Sequence, residues 1–192
     1  MHTQVETTIT PQIGPRDRLT VFFRPILAIP ALIIVNLFTP SPESSGALPV
    51  LIGLTLILFY VYPAWLIAFA HAMLEFSTKS SAYLFCLTDS YPNFNQTTET
   101  KVMLPDVAEG KAVNRWLPLV KWLLAIPHYI VVVIATPGVL AIALYNWIVI
   151  LISGKYSGTG SKLTIGYISY INRISGYAFT MVTDSYPKVI TK

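Results

Sequence analysis

The stretch Ser153 to Lys162, SGKYSGTGSK, has the glycines and the Gly-Lys pair of a phosphate-cradling loop. Such a loop needs a glycine five residues ahead of Gly-Lys-Ser/Thr and a buried parallel strand leading into it. Here no glycine stands at that spacing and an apolar run precedes the loop, so the stretch reads as a flexible turn into a helix. His71 and Glu75, one helical turn apart, could ligate a metal from one face, but a site needs three or four ligands. No others join them, and a solvated polar face is the simpler account. His128 follows Pro127 inside an apolar run, where an ionisable group points to function. No second histidine stands about one turn away to share a haem or metal, and its role stays open. Asp89 and Asp184 sit in identical Thr-Asp-Ser-Tyr-Pro motifs, at 88–92 and 183–187. Two readings stay open for them. Each is a turn-forming aspartate at a helix exit, or each ties its motif to a cation: Asp89 to Arg18 or Arg24, Asp184 to Arg115 or Lys121. No Ser-His-Asp or Cys-His arrangement can be assembled, and the single cysteine, Cys86, allows no internal disulfide. The sequence therefore leads us to expect no catalytic, metal or cofactor-binding residue.

The 192 residues are 54% hydrophobic and 11% charged, outside the ordinary range of soluble domains and typical of an integral membrane protein. The net charge of +4 does not signal a nucleic-acid partner, because the basic residues form no stripe interleaved with aromatics. The first eighteen residues are polar and lack the basic head, apolar core and small-residue cleavage site of a removable signal peptide.

Aligned against itself, the chain repeats. Arg18, Leu27, Ala28, Ile29 and Pro30 recur as Arg115, Leu124, Ala125, Ile126 and Pro127, and Arg24 is answered by Lys121. Further on, Tyr62, Lys79, Tyr83 and Phe85 align with Tyr156, Arg173, Tyr177 and Phe179. This divides the chain into a polar N-terminal tail (1–17), a first repeat (18–94), a polar linker (95–114) and a second repeat (115–192). In each repeat an apolar run turns through Pro and Gly into a second one, giving expected transmembrane hairpins at 19–62 and 117–153. The hairpin tips are TPSPESSGALP in the first repeat and TPG in the second. A third segment, 64–88 or 161–183, carries a polar stripe at helical spacing: His71, Glu75, Thr78, Lys79 and Ala82, or Lys162, Gly166, Ser169, Asn172 and Arg173. That pattern predicts an amphipathic helix lying in the interface with its apolar side down. The linker holds KVML, at 101–104, as a short strand candidate.

With the third segments lying flat, all Lys and Arg fall on one side and the tips carry none, as the positive-inside rule requires. The expected fold is an all-α integral membrane protein of the cytoplasmic (inner) membrane, multi-pass, with both termini cytoplasmic. Its two tandem parallel repeats are each a transmembrane helical hairpin plus an interfacial amphipathic helix. Arg24 and Lys121, with Lys79 and Arg173, are placed to hold cationic heads at lipid-phosphate level, with Trp116 and Trp122 as aromatic anchors. Pro30 and Pro127 remove amide donors inside the first span of each repeat and predict matched kinks.

The strings RWLPLVKWLLAIPHYIV and YPAWLIAFAHAMLEFSTKSSAYLFCLTDSYPNF resemble the bacterial membrane family called domain of unknown function 4389. The resemblance implies a membrane module carried once or twice per chain, and implies no activity. The second repeat departs from it where KYSGTGSK replaces a Tyr-Pro followed by a hydrophobic helix start. Three functions are then in view. The leading one is a non-catalytic accessory or scaffolding subunit packed on a larger membrane protein complex. The others are a lipid-binding or small-solute-handling oligomer and a membrane-embedded enzyme. The expected partners are membrane lipids and that complex, with no nucleic acid.

Overall fold

A computed structural model describes residues 3–38, 47–95 and 99–189. The chain is mostly helical. Helix α1 (Arg18–Leu27) starts on Asp17, whose carboxylate accepts the amides of Leu19 and Thr20, a strong N-cap for a helix that begins with a cation. It breaks at Ala28 and continues as α2 (Ile29–Phe38). The same break recurs at Ala125, between α5 (Pro118–Leu124) and α6 (Ile126–Ser153). Pro30 and Pro127 account for both: each withholds the amide that the carbonyl of Ile26 or Leu123 would accept four residues on, while the amides of Ala28 and Ala125 donate to the carbonyls of Arg24 and Lys121 at 2.9 and 3.0 Å.

The expected hairpin at 117–153 does not form. Helix α6 runs unbroken through Thr136, Pro137 and Gly138 for 28 residues, about 42 Å. A tight turn there would leave backbone groups unpaired among apolar side chains, whereas a helix satisfies them internally. Thr136 assists by donating its hydroxyl to the carbonyl of Val132 at 2.7 Å. In the first half, α3 (Ala47–Leu54) runs into a π-helical turn (Thr55–Phe59); the expected tip at 39–46 lies outside the described residues. Two stretches, 18–38 and 118–153, are long and apolar enough to cross a membrane, and 48–59 is a shorter apolar helix.

These rods run antiparallel. Trp147, near the end of α6, donates its indole N–H to the carbonyl of Val21 at 2.8 Å and stacks on Phe22. At the other end Pro118 packs beside Gly53 of α3. Each rod is followed by a helix returning along it: α4 (Ala64–Leu84) and α7 (Ser161–Ile174, extended by a π-helical turn, Ser175–Phe179).

The polar stripes of α4 and α7 are covered over their carboxy-terminal parts, while Lys162 and Gly166 remain exposed. Thr78, Lys79, Ser169, Asn172 and Arg173 are buried, because the two stripes meet and a β-ribbon covers them. Strand β1 (Glu6–Ile9) pairs antiparallel with β3 (Thr100–Met103), Thr7 opposite Val102. Asn172 donates to the hydroxyls of both Thr7 and Thr78 at 2.8 Å, joining ribbon, α4 and α7. The expected polar tail is thus part of the core, with Val5 and Ile9 buried at opposite ends of β1. A second short pairing joins β2 (Gly14–Pro15) to β4 (Lys155–Tyr156). The result is three layers: the long rods outside, α4 and α7 beneath them, and the ribbon on the far side.

Val5 sits where a side chain on Gly176 would stand. Gly176→Ala should therefore destabilise the protein by about 1–3 kcal/mol, the usual cost of overpacking, and Val5→Ala should recover much of the loss. Thermal unfolding of the detergent-solubilised protein measures both; additive losses would contradict this contact.

Candidate functional site: two buried cation clasps

Arg24 and Lys121 lie on the apolar rods, yet they are 1% and 0% exposed. Their heads turn inward, toward the loops that leave α4 and α7. The Arg24 guanidinium pairs with the carboxylate of Asp89 and donates to the carbonyls of Tyr83 at 3.0 Å and Thr88 at 3.1 Å. Its plane sits 4.6 Å from the centre of the Tyr83 ring. The Lys121 ammonium lies 2.6 Å from Asp184, donates to the Thr183 carbonyl at 2.8 Å and sits 5.3 Å from the Tyr177 ring.

Four of the five members of the Thr-Asp-Ser-Tyr-Pro motif take part in these clasps. The threonine carbonyl meets the cation, and its hydroxyl accepts the amide of the following serine, Ser90 at 3.2 Å or Ser185 at 3.1 Å. The aspartate neutralises the charge. The motif tyrosine, Tyr91 or Tyr186, stands edge-on to Tyr83 or Tyr177. A cation–π contact of this kind strengthens when water is excluded.

A second matched pair lies one layer down. Lys79 pairs with Glu75 at 2.8 Å and donates to the carbonyls of Asn93 and Asn95, and Arg173 donates to the carbonyl of Lys188 at 2.7 Å. The expectation that Arg24, Lys79, Lys121 and Arg173 reach for lipid phosphates is therefore corrected. All four are buried, held by carbonyls, with carboxylates also closing on Arg24, Lys79 and Lys121. Arg18 and Arg115 are not the aspartates' partners either. Arg18 lies over Gly154, while Arg115 donates to the carbonyl of Ile57 at 2.6 Å and stacks on Trp116. Trp116 and Trp122 are exposed on the rod surface, where aromatic anchors would stand.

One participant escaped the sequence reading. Arg16, buried, lies 2.6 Å from Asp89 and donates to the Leu87 carbonyl at 3.2 Å. Asp89 therefore serves two guanidiniums where Asp184 serves one ammonium. Nothing in the spacing marks Arg16, because the repeat begins at Arg18. Tyr83 and Tyr177 were findable, since they align between the halves.

His71 and His128 have structural partners. His71 Nε2 lies 2.7 Å from the Val102 carbonyl, bracing the ribbon, and His128 Nδ1 lies 2.5 Å from the Tyr170 hydroxyl. Among the described residues no group of three or more His, Cys, Asp or Glu is placed to hold a metal ion.

Two further tyrosines lock the halves together. Tyr62 donates its hydroxyl to the Thr180 carbonyl at 2.8 Å, and Tyr156 packs with Cys86, Leu87 and Val21. Burial pushes both phenols above the ordinary tyrosine value.

Fold and clasps together describe a mostly helical protein with two stretches long and apolar enough to cross a membrane and with Arg24 and Lys121 neutralised internally. The model of a family described as a domain of unknown function (DUF4389) matches residues 116–191, a stretch that includes the Lys121–Asp184 clasp. No curated protein and no solved structure matches the chain.

Removing one partner of a buried ion pair costs about 3–5 kcal/mol. Asp184→Asn should lose about that much stability, and Asp89→Asn, which strands two guanidiniums, should lose more. Lys121→Met combined with Asp184→Asn should recover most of the Asp184→Asn loss. Equal, small effects in thermal unfolding would contradict the clasps. For Tyr62 and Tyr156 the folded-state pKa is raised, so their contribution is fully present below the unfolded value of about 10. It is lost as pH rises from there toward the folded value. Stability should fall above about pH 10, and less steeply in Tyr62→Phe, as read from denaturation midpoints across the alkaline range.

Proposed function

We propose that the protein is a non-catalytic accessory or scaffolding subunit, embedded in the membrane and packed on a larger membrane protein complex. One observation carries the reading. Between Trp116 and Ile152 the outward surface of the rod is apolar, and Lys121 and His128, the basic side chains of that stretch, both turn inward. Between Leu19 and Phe38 the first rod repeats this with Arg24, the basic side chain of that stretch. Continuous apolar surface on this scale marks contact with lipid or with other membrane helices. In the clasps Arg24 is closed by a carboxylate, two carbonyls and an aromatic face, and Lys121 by a carboxylate, one carbonyl and an aromatic face.

In this reading the chain is two copies of one module, 18–94 and 115–192. The paired clasps, the matched helix breaks and the antiparallel ribbon between the halves support it. The seating follows from the layers. An α5–α6 rod of 36 residues would measure about 54 Å, against a hydrocarbon core of about 30 Å. Crossing would also bring the polar ribbon to membrane depth. We place the rods within one leaflet, beneath a polar layer that faces the cytoplasm, as monotopic helices lie. This replaces the multi-pass arrangement, keeps every Lys and Arg on one side, and leaves both termini there. No cofactor and no nucleic acid enter this function; the partners are membrane lipids and the complex. The alternative of lipid handling is favoured by a groove beside α6.

Lys111→Cys and Lys155→Cys, at opposite ends of the rods, should both react with an impermeant thiol reagent from the cytoplasmic side; reaction from opposite sides would overturn the seating. Gentle detergent extraction should recover a defined membrane protein at fixed ratio, and Ile134→Arg on the exposed rod face should release it. Recovery of the chain with lipid alone would overturn the scaffold reading.

A further inference from the structure

We propose that the groove between α6 and α7 binds one acyl chain of an anionic phospholipid, with the phosphate resting on Lys162 at the amino end of α7. This rests on the membrane location proposed above. The groove encloses about 480 Å³, within the range of small-molecule sites. Its apolar walls are Val131, Ala135, Val139 and Ile142 from α6, with Leu163 and Tyr167 from α7. From Val131 to Ile142 the helix rises about 16 Å, a length of groove that lies along the membrane plane in the seating proposed above.

Comparison between the halves shows that this space is particular to the second one. In the register that matches Arg24 with Lys121 and Lys79 with Arg173, Ala135 and Leu163 stand where the first half has Phe38 and Phe69. Those two rings meet edge to face at 6.3 Å and occupy the corresponding place. In the second half both walls also carry glycine, and nothing lies within 4 Å of where a side chain on Gly138 or Gly166 would begin. The open groove is thus a difference in side-chain volume on a shared backbone plan.

Charge selects the occupant. Among the described residues the charged side chains lining the groove are both basic, Lys162 and Arg173; Arg173 is buried and already donates to the Lys188 carbonyl, so Lys162 is the cation placed to meet a headgroup. Lys162 is exposed and stands in the first turn of α7, whose N-cap, Gly160, offers no side chain to the free amides there. Uncapped amides, the positive end of a 14-residue helix and an ammonium together suit a phosphate. The glycine-rich turn, which carries no nucleotide-loop spacing, thereby acquires an anion-facing role through the helix it starts.

The test uses the full chain, delipidated in mild detergent, with phosphatidylglycerol and phosphatidylcholine of identical acyl chains added separately and followed by native mass spectrometry. The expected result is one phosphatidylglycerol per chain, bound at least tenfold more tightly than phosphatidylcholine. Gly166→Phe should abolish that binding, and Lys162→Gln should remove the preference between the two lipids. Equal binding of both lipids by the unaltered protein, unchanged binding by Gly166→Phe, or displacement by inorganic phosphate alone would overturn the proposal. Lys162→Gln, at an exposed position, still gives the readout if the groove-filling variant fails to fold. Because binding is read in micelles, its failure is separable from failure of the one-sided labelling that tests the seating.

Discussion

A full positive charge inside an apolar helix surface is the constraint around which this molecule is organised. Arg24 and Lys121 cannot be left unpaired where they stand, because the desolvation cost of an isolated ion in such surroundings amounts to several kcal/mol. Each needs a carboxylate, and the carboxylate must come from another part of the chain. The Thr-Asp-Ser-Tyr-Pro motifs supply it. For the motif to arrive there, α4 and α7 must return along their rods in the opposite direction and end beside α1 and α5. The direction of two helices and the path of two loops thus follow from where two cations must be neutralised.

Once the returning helices are set, their polar stripes meet in the middle of the molecule, and the ribbon of β1 and β3 becomes necessary to satisfy them. Asn172 makes this concrete, since its amide serves a strand residue and a residue of the opposite helix at once. The halves are also crossed. The end of each rod packs on the start of the other, and Tyr62 and Tyr156 each pack against the opposite half's helix exit. The two larger buried clusters draw on both halves and on Val5, Ile9, Val102, Val107 and Val113, so the linker and the N-terminal segment act as structural straps.

Against this shared plan the differences between the halves are informative. Arg16 adds a second guanidinium to the first clasp and has no counterpart at the second. The pair Phe38 and Phe69 fills a space that Ala135, Leu163 and two glycines leave open. Likeness between the halves accounts for the frame, and these departures are differences of charge and side-chain volume laid upon it.

The sequence by itself showed the apolar composition, the recurring motifs, and the short set of cations able to meet Asp89 and Asp184, because composition, self-similarity and charge type are local properties of the chain. It placed the helix breaks too, since a proline withholds its amide whatever surrounds it. Three things were decided only in three dimensions. Pro-Gly at 137–138 signals a turn in water, yet among apolar neighbours the unbroken helix leaves fewer backbone groups unpaired. A polar stripe states its own period but not what covers it, and here a ribbon took the place of solvent. Arg24 rather than Arg18, and Lys121 rather than Arg115, met the acids because helix phase and packing turned those side chains inward, and neither is written in the spacing.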